Sequence, residues 1–297
     1  MAVDTVVTSD DLARFKRTEL IARSVVEGFV SGLHKSPFKG FALDFSHYRE
    51  YTRGDEVKHL DWSLYARTDK YYVKQYDEFT VLKSHILLDT SGSMNYTSGT
   101  VTKFDYARFI AAVLTNLLIT QKDSVGLVTF DTEMRKYLPP KNTSSQLARV
   151  MHDLSEVEPG GETSLGGMLK QLASSMKRRG LIILISDLFD LPGEIRGALA
   201  HFAKRRHEIV VFRVLDEAER TFPFKKFTKF VDMEGTEHLL AEPNRIRKEY
   251  MKRFNELERE IQEACYSMAI DYVPVYTNRP PEYALAKYLS LRMDRNK

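Results

Sequence analysis

Cysteine is almost absent from the 297 residues: Cys265 is the only one, which rules out a disulfide within the chain and argues against an oxidising compartment. Long apolar runs are missing too. No stretch approaches the roughly 18 uncharged apolar residues of a membrane-spanning helix, and the first residues, MAVDTVVTSD, have neither the basic start nor the apolar core of a signal peptide. The expectation is a cytoplasmic protein without direct membrane insertion. Charge of one sign is also lacking: 44 Lys and Arg stand against 41 Asp and Glu, a formal net charge of only +3. Nucleic acid asks for a concentrated basic face, whereas the basic clusters at 177–179, 204–206 and 225–229 lie beside expected element ends and read as solvated. There is no GxxxxGK[ST] loop to cradle phosphates, and the 8 histidines show no HExxH or other ligand spacing. With 15 Gly, 10 Pro and 43% hydrophobic residues, the chain has the composition of a folded protein, long enough for one large domain or two modest ones.

What is present falls into two parts. Apolar positions from Leu12 to Leu33 recur at helical spacing behind the cap candidates Ser9 and Asp10, with Gly32 as a stop. The following stretch mixes aromatic residues such as Phe38, Tyr48 and Trp62 with charges and turn residues. It reads as a compact module of loops, short helices and short strands, and Arg49, Asp61, Arg67 and Asp69 within it read as ion-paired or hydrogen-bonded structure.

Near Leu82 the pattern changes to buried strands at 84–90, 124–130, 181–187 and 207–215, separated by helix candidates at 103–120, 145–154 and 165–176. Strands alternating with helices imply a mostly parallel sheet covered on both faces. Two short extended segments follow, around 229–233 and 238–240. Pro243 then opens a long helix to about Met268 whose apolar stripe contains Cys265, so this thiol is expected in the core. A strand at 271–277, with Pro274 suggesting an edge, and a short helix at 282–291 complete the pattern. The expected organisation is therefore a small irregular N-terminal module, 1–82, and an α/β domain, 83–297.

The informative string is Asp89-Thr90-Ser91-Gly92-Ser93, directly after the strand ILL. Residues just beyond the carboxyl ends of strands surround the functional crevice of an open α/β sheet. Alternation along the turn can aim Asp89, Ser91 and Ser93 at one centre. Thr163, before the helix at Leu165, and Asp187, at the end of LIILIS, reach the same edge. Two carboxylates and three hydroxyls suit a hard cation, Mg²⁺ with Mn²⁺ or Ca²⁺ as alternatives. Because the hydroxyls bring no charge, such an ion keeps an appetite for an external carboxylate.

This pattern resembles the metal-ion-dependent adhesion site of von Willebrand factor A-like domains, and the resemblance assigns Asp89, Ser91, Ser93, Thr163 and Asp187 as metal residues on a Rossmann-type sheet flanked by helices. The string SPFKGFALDFSHYREYTRGDEVKHLDWSLYARTDKYYVKQYDE, with PGGETSLGGML, LIILISDLFD and FRVLD, is similar to the domain-of-unknown-function 58 family over nearly the whole chain. Members are typically bacterial or archaeal and often encoded beside MoxR-type AAA+ ATPases. The resemblance implies a metal-dependent adaptor, not an enzyme, that binds an acidic residue of such an ATPase or its client. Glu162 puts a carboxylate where the family often has a small residue.

Two other functions compete. Asp89 after a buried strand superficially resembles the nucleophile of haloacid dehalogenase-like phosphatases, which would make a metal-dependent phosphate-ester hydrolase. Those enzymes place an acid-base Asp two residues later, where this chain has Ser91. A scaffold binding through the front module without metal is the other alternative.

Overall fold

Three apolar runs, ILL, VGLVTF and LIILI, lie side by side as the centre of one sheet, and the rest of the described fold is arranged around them. The computed structural model describes residues 44–52, 60–77, 83–161, 165–176, 179–233 and 238–295. The helix expected at 12–33, most of the front module's turn-rich sequence and Thr163 lie outside the described residues.

The front of the chain supplies β1 (Asp44–Glu50), α1 (Trp62–Thr68) and β2 (Tyr72–Asp77). There follow β3 (Lys83–Asp89), a 3₁₀ turn (Gly92–Asn95), α2 (Lys103–Thr120), β4 (Ser124–Phe130), β5 (Met134–Lys141), α3 (Ser144–Glu156) and α4 (Leu165–Ser175). Next come β6 (Leu181–Ser186), α5 (Pro192–Lys204), β7 (Glu208–Leu215) and α6 (Glu217–Thr221). The chain continues through β8 (Thr228–Val231), β9 (His238–Ala241), α7 (Pro243–Ser267), β10 (Asp271–Tyr276) and α8 (Pro281–Arg295).

Six strands make the main sheet in the order β10-β7-β6-β3-β4-β5, all parallel except β5, which runs antiparallel to β4. Ile86, Leu88, Val125, Ile183 and Val210 point into one apolar layer with Phe104, Ile110 and Leu114 of α2. Leu87, Val128, Ile182, Leu184 and Val211 point into the other with α4, α5 and Ile261 and Cys265 of α7. Successive strand residues face opposite sides, so a strand packed on both is buried along its length, as β4 and β6 are and as β3 is beyond Lys83. This is a von Willebrand factor A-like α/β fold, a mostly parallel sheet between helical layers.

Proline sets one edge. Pro274 has no N–H to give a further strand, and β10 is the sheet's edge strand. Three elements were not anticipated, the short α6 among them. Strand β5 is almost wholly exposed and contains Arg135, Lys136 and Pro139-Pro140, so it carries no apolar alternation, only the charges and prolines of a protected edge. Helix α5 begins at Pro192 and buries Ile195, Ala198, Leu199 and Phe202 at helical spacing, with Gly193 and Gly197 weakening its signal.

Candidate functional site

Strand β3 ends at Asp89, next to β6, whose last residue is Ser186. This register carries Asp89 and Asp187 to the same carboxyl edge, in a place where both are buried. One Asp89 oxygen accepts the Ser91 amide at 2.9 Å, which turns the chain out of the strand, and the other accepts the Ser186 hydroxyl at 2.5 Å. The Ser91 and Ser93 hydroxyls lie 3.1 Å apart. Asp89, Ser91 and Ser93 are thus brought together by a local turn, and Asp187 faces them from the neighbouring strand.

The loop leading to Thr163 is tied to the same turn. Gly160 donates to the Thr90 carbonyl at 2.8 Å and Gly92 donates to the Gly161 carbonyl at 2.9 Å. Gly161 has φ +90°, a conformation that glycine adopts without strain. Asp131, at the end of β4, lies so close that a Cβ on Gly161 would sit 3.2 Å from its carboxylate, which Arg135 engages at 2.6 Å.

Electrostatics separate the two central carboxylates. Burial first, and then the charge of Asp187, push the Asp89 carboxyl up to about 7, against the hydrogen bonds from Ser186 and Ser91. No Lys or Arg among the described residues pairs with it. Asp187, in contrast, accepts from the Lys103 ammonium at 2.7 Å and from the Phe189 amide at 3.2 Å. Lys103 also reaches Glu219 at 2.6 Å. Burial opposes its charge, but Asp187 and Glu219 outweigh burial and hold the ammonium above its ordinary value. Glu219 is itself raised, because burial outweighs its share of that one cation. Beneath, Arg213 donates to the Asp187 carbonyl at 3.0 Å and pairs with Glu258.

Sequence reading missed Lys103, Glu219, Ser186 and Arg213. A signal existed for Lys103, which opens α2, where a positive charge meets the positive end of the helix dipole. Placing a lysine there, before an apolar helix, is a reason to look for a nearby carboxylate.

The donor set fits a hard cation: two facing buried carboxylates, one without a cationic partner, beside paired serine hydroxyls, with every donor an oxygen. Among the described residues no group of three or more His, Cys, Asp or Glu converges as a metal cluster. No helix among them is long and apolar enough to cross a membrane.

The profile of the family described as "Protein of unknown function DUF58" matches residues 47–260. Uncharacterized proteins of Mycobacterium bovis and Mycobacterium tuberculosis are each 24% identical over 214 residues, covering 71% of this chain and 67% of theirs. Among solved structures, the conserved hypothetical protein BatB from Bacteroides thetaiotaomicron aligns with TM-score 0.50 at 18% identity, over 72% of this chain and 99% of its own. The SpRpn10 VWA domain aligns with TM-score 0.41 at 13% identity, over 69% of this chain and 94% of its own.

Proposed function

The chain belongs to the DUF58 family, and we propose that it is a divalent-metal-dependent protein-binding adaptor. In this reading Asp89, Ser91, Ser93, Thr163 and Asp187 hold Mg²⁺, or Mn²⁺ or Ca²⁺ in its place. The bound ion supplies a Lewis-acidic position that an Asp or Glu of a protein partner fills. The protein residues do the rest: they fix the ion at the sheet edge and leave its outer side to the partner. The partner is a MoxR-type AAA+ ATPase or its client, and the setting is assembly, maturation or regulation of a protein complex.

One observation carries the reading: the Asp89 carboxylate is fully buried, opposite Asp187, with hydroxyl and amide donors but no cation. A buried carboxylate in that position stays neutral or acquires a counter-ion. The DUF58 match and the von Willebrand factor A-like fold support a protein-interaction role.

The test is a calorimetric Mg²⁺ titration of the protein and of Asp89→Asn, joined to capture of the purified MoxR-type ATPase from the same genome in Mg²⁺ and in EDTA. Asn keeps the shape and an acceptor but removes the charge. The expected result is a saturable Mg²⁺ heat and capture in Mg²⁺, with affinity for both reduced about 10- to 100-fold in the variant and capture abolished by EDTA. Capture that survives EDTA and Asp89→Asn alike would overturn the metal bridge.

A further inference from the structure

Lysine is an expensive residue at position 103. Its side chain is entirely buried, it stands at the first turn of a helix with the wrong sign for the dipole, and its ammonium lies between the rings of Tyr96 and Phe189, 5.8 and 5.0 Å from their centroids. Burying a lone ammonium is strongly unfavourable, so its position is dictated by what it pairs with: Asp187 at 2.7 Å and Glu219 at 2.6 Å.

Both oxygens of Asp187 are therefore engaged, Oδ2 by Lys103 and Oδ1 by the Phe189 amide. Any cation drawn to Asp187 meets a positive charge already in place. Glu219 is independently anchored. Its second oxygen accepts the Asp216 amide at 2.8 Å in the capping box of α6, and Asp216 is held in turn by Ser98, the Ala218 amide and Thr277. Its first oxygen accepts from the ammonium at 2.6 Å. Lys103 is one cation between two carboxylates, and Asp89 stands opposite Asp187 with no cation of its own.

We propose that Lys103 is a tethered cation competing with the divalent ion for Asp187, and that Glu219 sets the strength of that competition by drawing the ammonium aside. Lys103 is thus a positioning residue. It stabilises the cation-free site, keeps the divalent ion weakly held, and links ion occupancy to the capping box of α6 through Glu219. The inference rests on the metal reading above.

The experiment is a double-substitution cycle read by Mg²⁺ calorimetry and by thermal unfolding without Mg²⁺. Lys103→Met keeps length and removes charge. The expected result is Mg²⁺ binding tighter by about 10- to 100-fold together with a lower midpoint in the cation-free protein. Glu219→Gln keeps the acceptor for Asp216 but leaves the ammonium wholly to Asp187, so Mg²⁺ binding is expected to weaken by about tenfold. In the Lys103→Met background, Glu219→Gln should change the Mg²⁺ affinity by less than about twofold, because its effect acts through the lysine. Additive effects would show only a field felt through space and would overturn the proposal, as would a Lys103→Met protein that binds Mg²⁺ no tighter. Should Lys103→Met fail to fold, Glu219→Gln alone decides: an unchanged or tighter Mg²⁺ affinity overturns it. If neither the unaltered protein nor Asp89→Asn binds Mg²⁺, the metal reading fails and this inference falls with it. If the unaltered protein binds Mg²⁺ in an Asp89-dependent way but the cycle fails, only the role of Lys103 is lost.

Discussion

His85 sits in β3 four residues before Asp89, at the opposite end of the strand from the candidate site. It is buried, its ring stacks at 6.4 Å and 11° on Tyr137 of the edge strand, and its Nδ1 finds no partner among the described groups. Burial first, and then the charges of His207 and Lys83, push it down to about 4. The unfolded chain takes up a proton near pH 6.5 that the folded protein refuses until about pH 4, so stability is lost as pH falls through that window. At pH 5 the loss amounts to about 2 kcal/mol relative to pH 7.5. Asp89, raised by burial, acts in the opposite sense: it costs stability as pH rises through its window, by at least as much, and so masks the histidine in the whole protein. The comparison must therefore be between variants. His85→Phe keeps the stack and removes the titration, and urea midpoints at pH 7.5 and 5 should show it losing about 2 kcal/mol less on acidification than the unaltered chain. Equal losses would mean that His85 does not carry this acid sensitivity.

At the scale of elements, the β8–β9 hairpin depends on one glycine of the DTSGS turn. A Cβ on Gly92 would stand 2.4 Å from the Met233 carbonyl and 3.0 Å from the Gly161 carbonyl. What this position requires is space, so that the end of β8 and the loop before α4 can both close on the turn. Gly92→Ala is expected to displace Met233, to cost about 1–3 kcal/mol, and to raise amide exchange over 228–241 while leaving β4 and β6 protected. Unchanged exchange across the hairpin would show that Met233 makes no such contact in solution.

This glycine also marks how far the sequence could be read. The turn was legible because Asp, Ser and Gly after an apolar run have local reasons to be there, and β3, β4 and β6 were legible because each is buried on both faces. The contact with Met233 was not, since it joins residues far apart in the chain. Strand β5 lacked a pattern because an edge is kept charged and broken by proline. The ion network was half legible. Asp89 and Asp187 announce themselves at strand ends, whereas the pairing of Lys103 with Glu219 depends on how α2 and α6 meet, which periodicity does not encode.

Across the whole molecule, the two apolar layers draw every one of their described members from Ile86 onward, and the antiparallel pair β1–β2 forms a sheet of its own. Buried Val73 of β2 pairs with Arg49 and bridges to Leu60, and Tyr65 stacks on Tyr71 at 4.5 Å, so the front segment has local packing distinct from those layers. A division between 1–82 and 83–297 is our proposal on that basis. All the described residues of the candidate site, with Lys103 and Glu219, fall in the second part. A chain beginning at Lys83 should therefore unfold cooperatively and bind Mg²⁺ within about twofold of the full chain, because sites whose contacts are not shared behave independently. Capture of a partner by the two chains separates the surfaces: retained capture assigns the contact to the sheet edge, and lost capture with intact Mg²⁺ binding assigns part of it to the front segment. A truncated chain with far-ultraviolet helix signal but no cooperative transition would show instead that the front segment completes the core, and that the two parts are one folding unit.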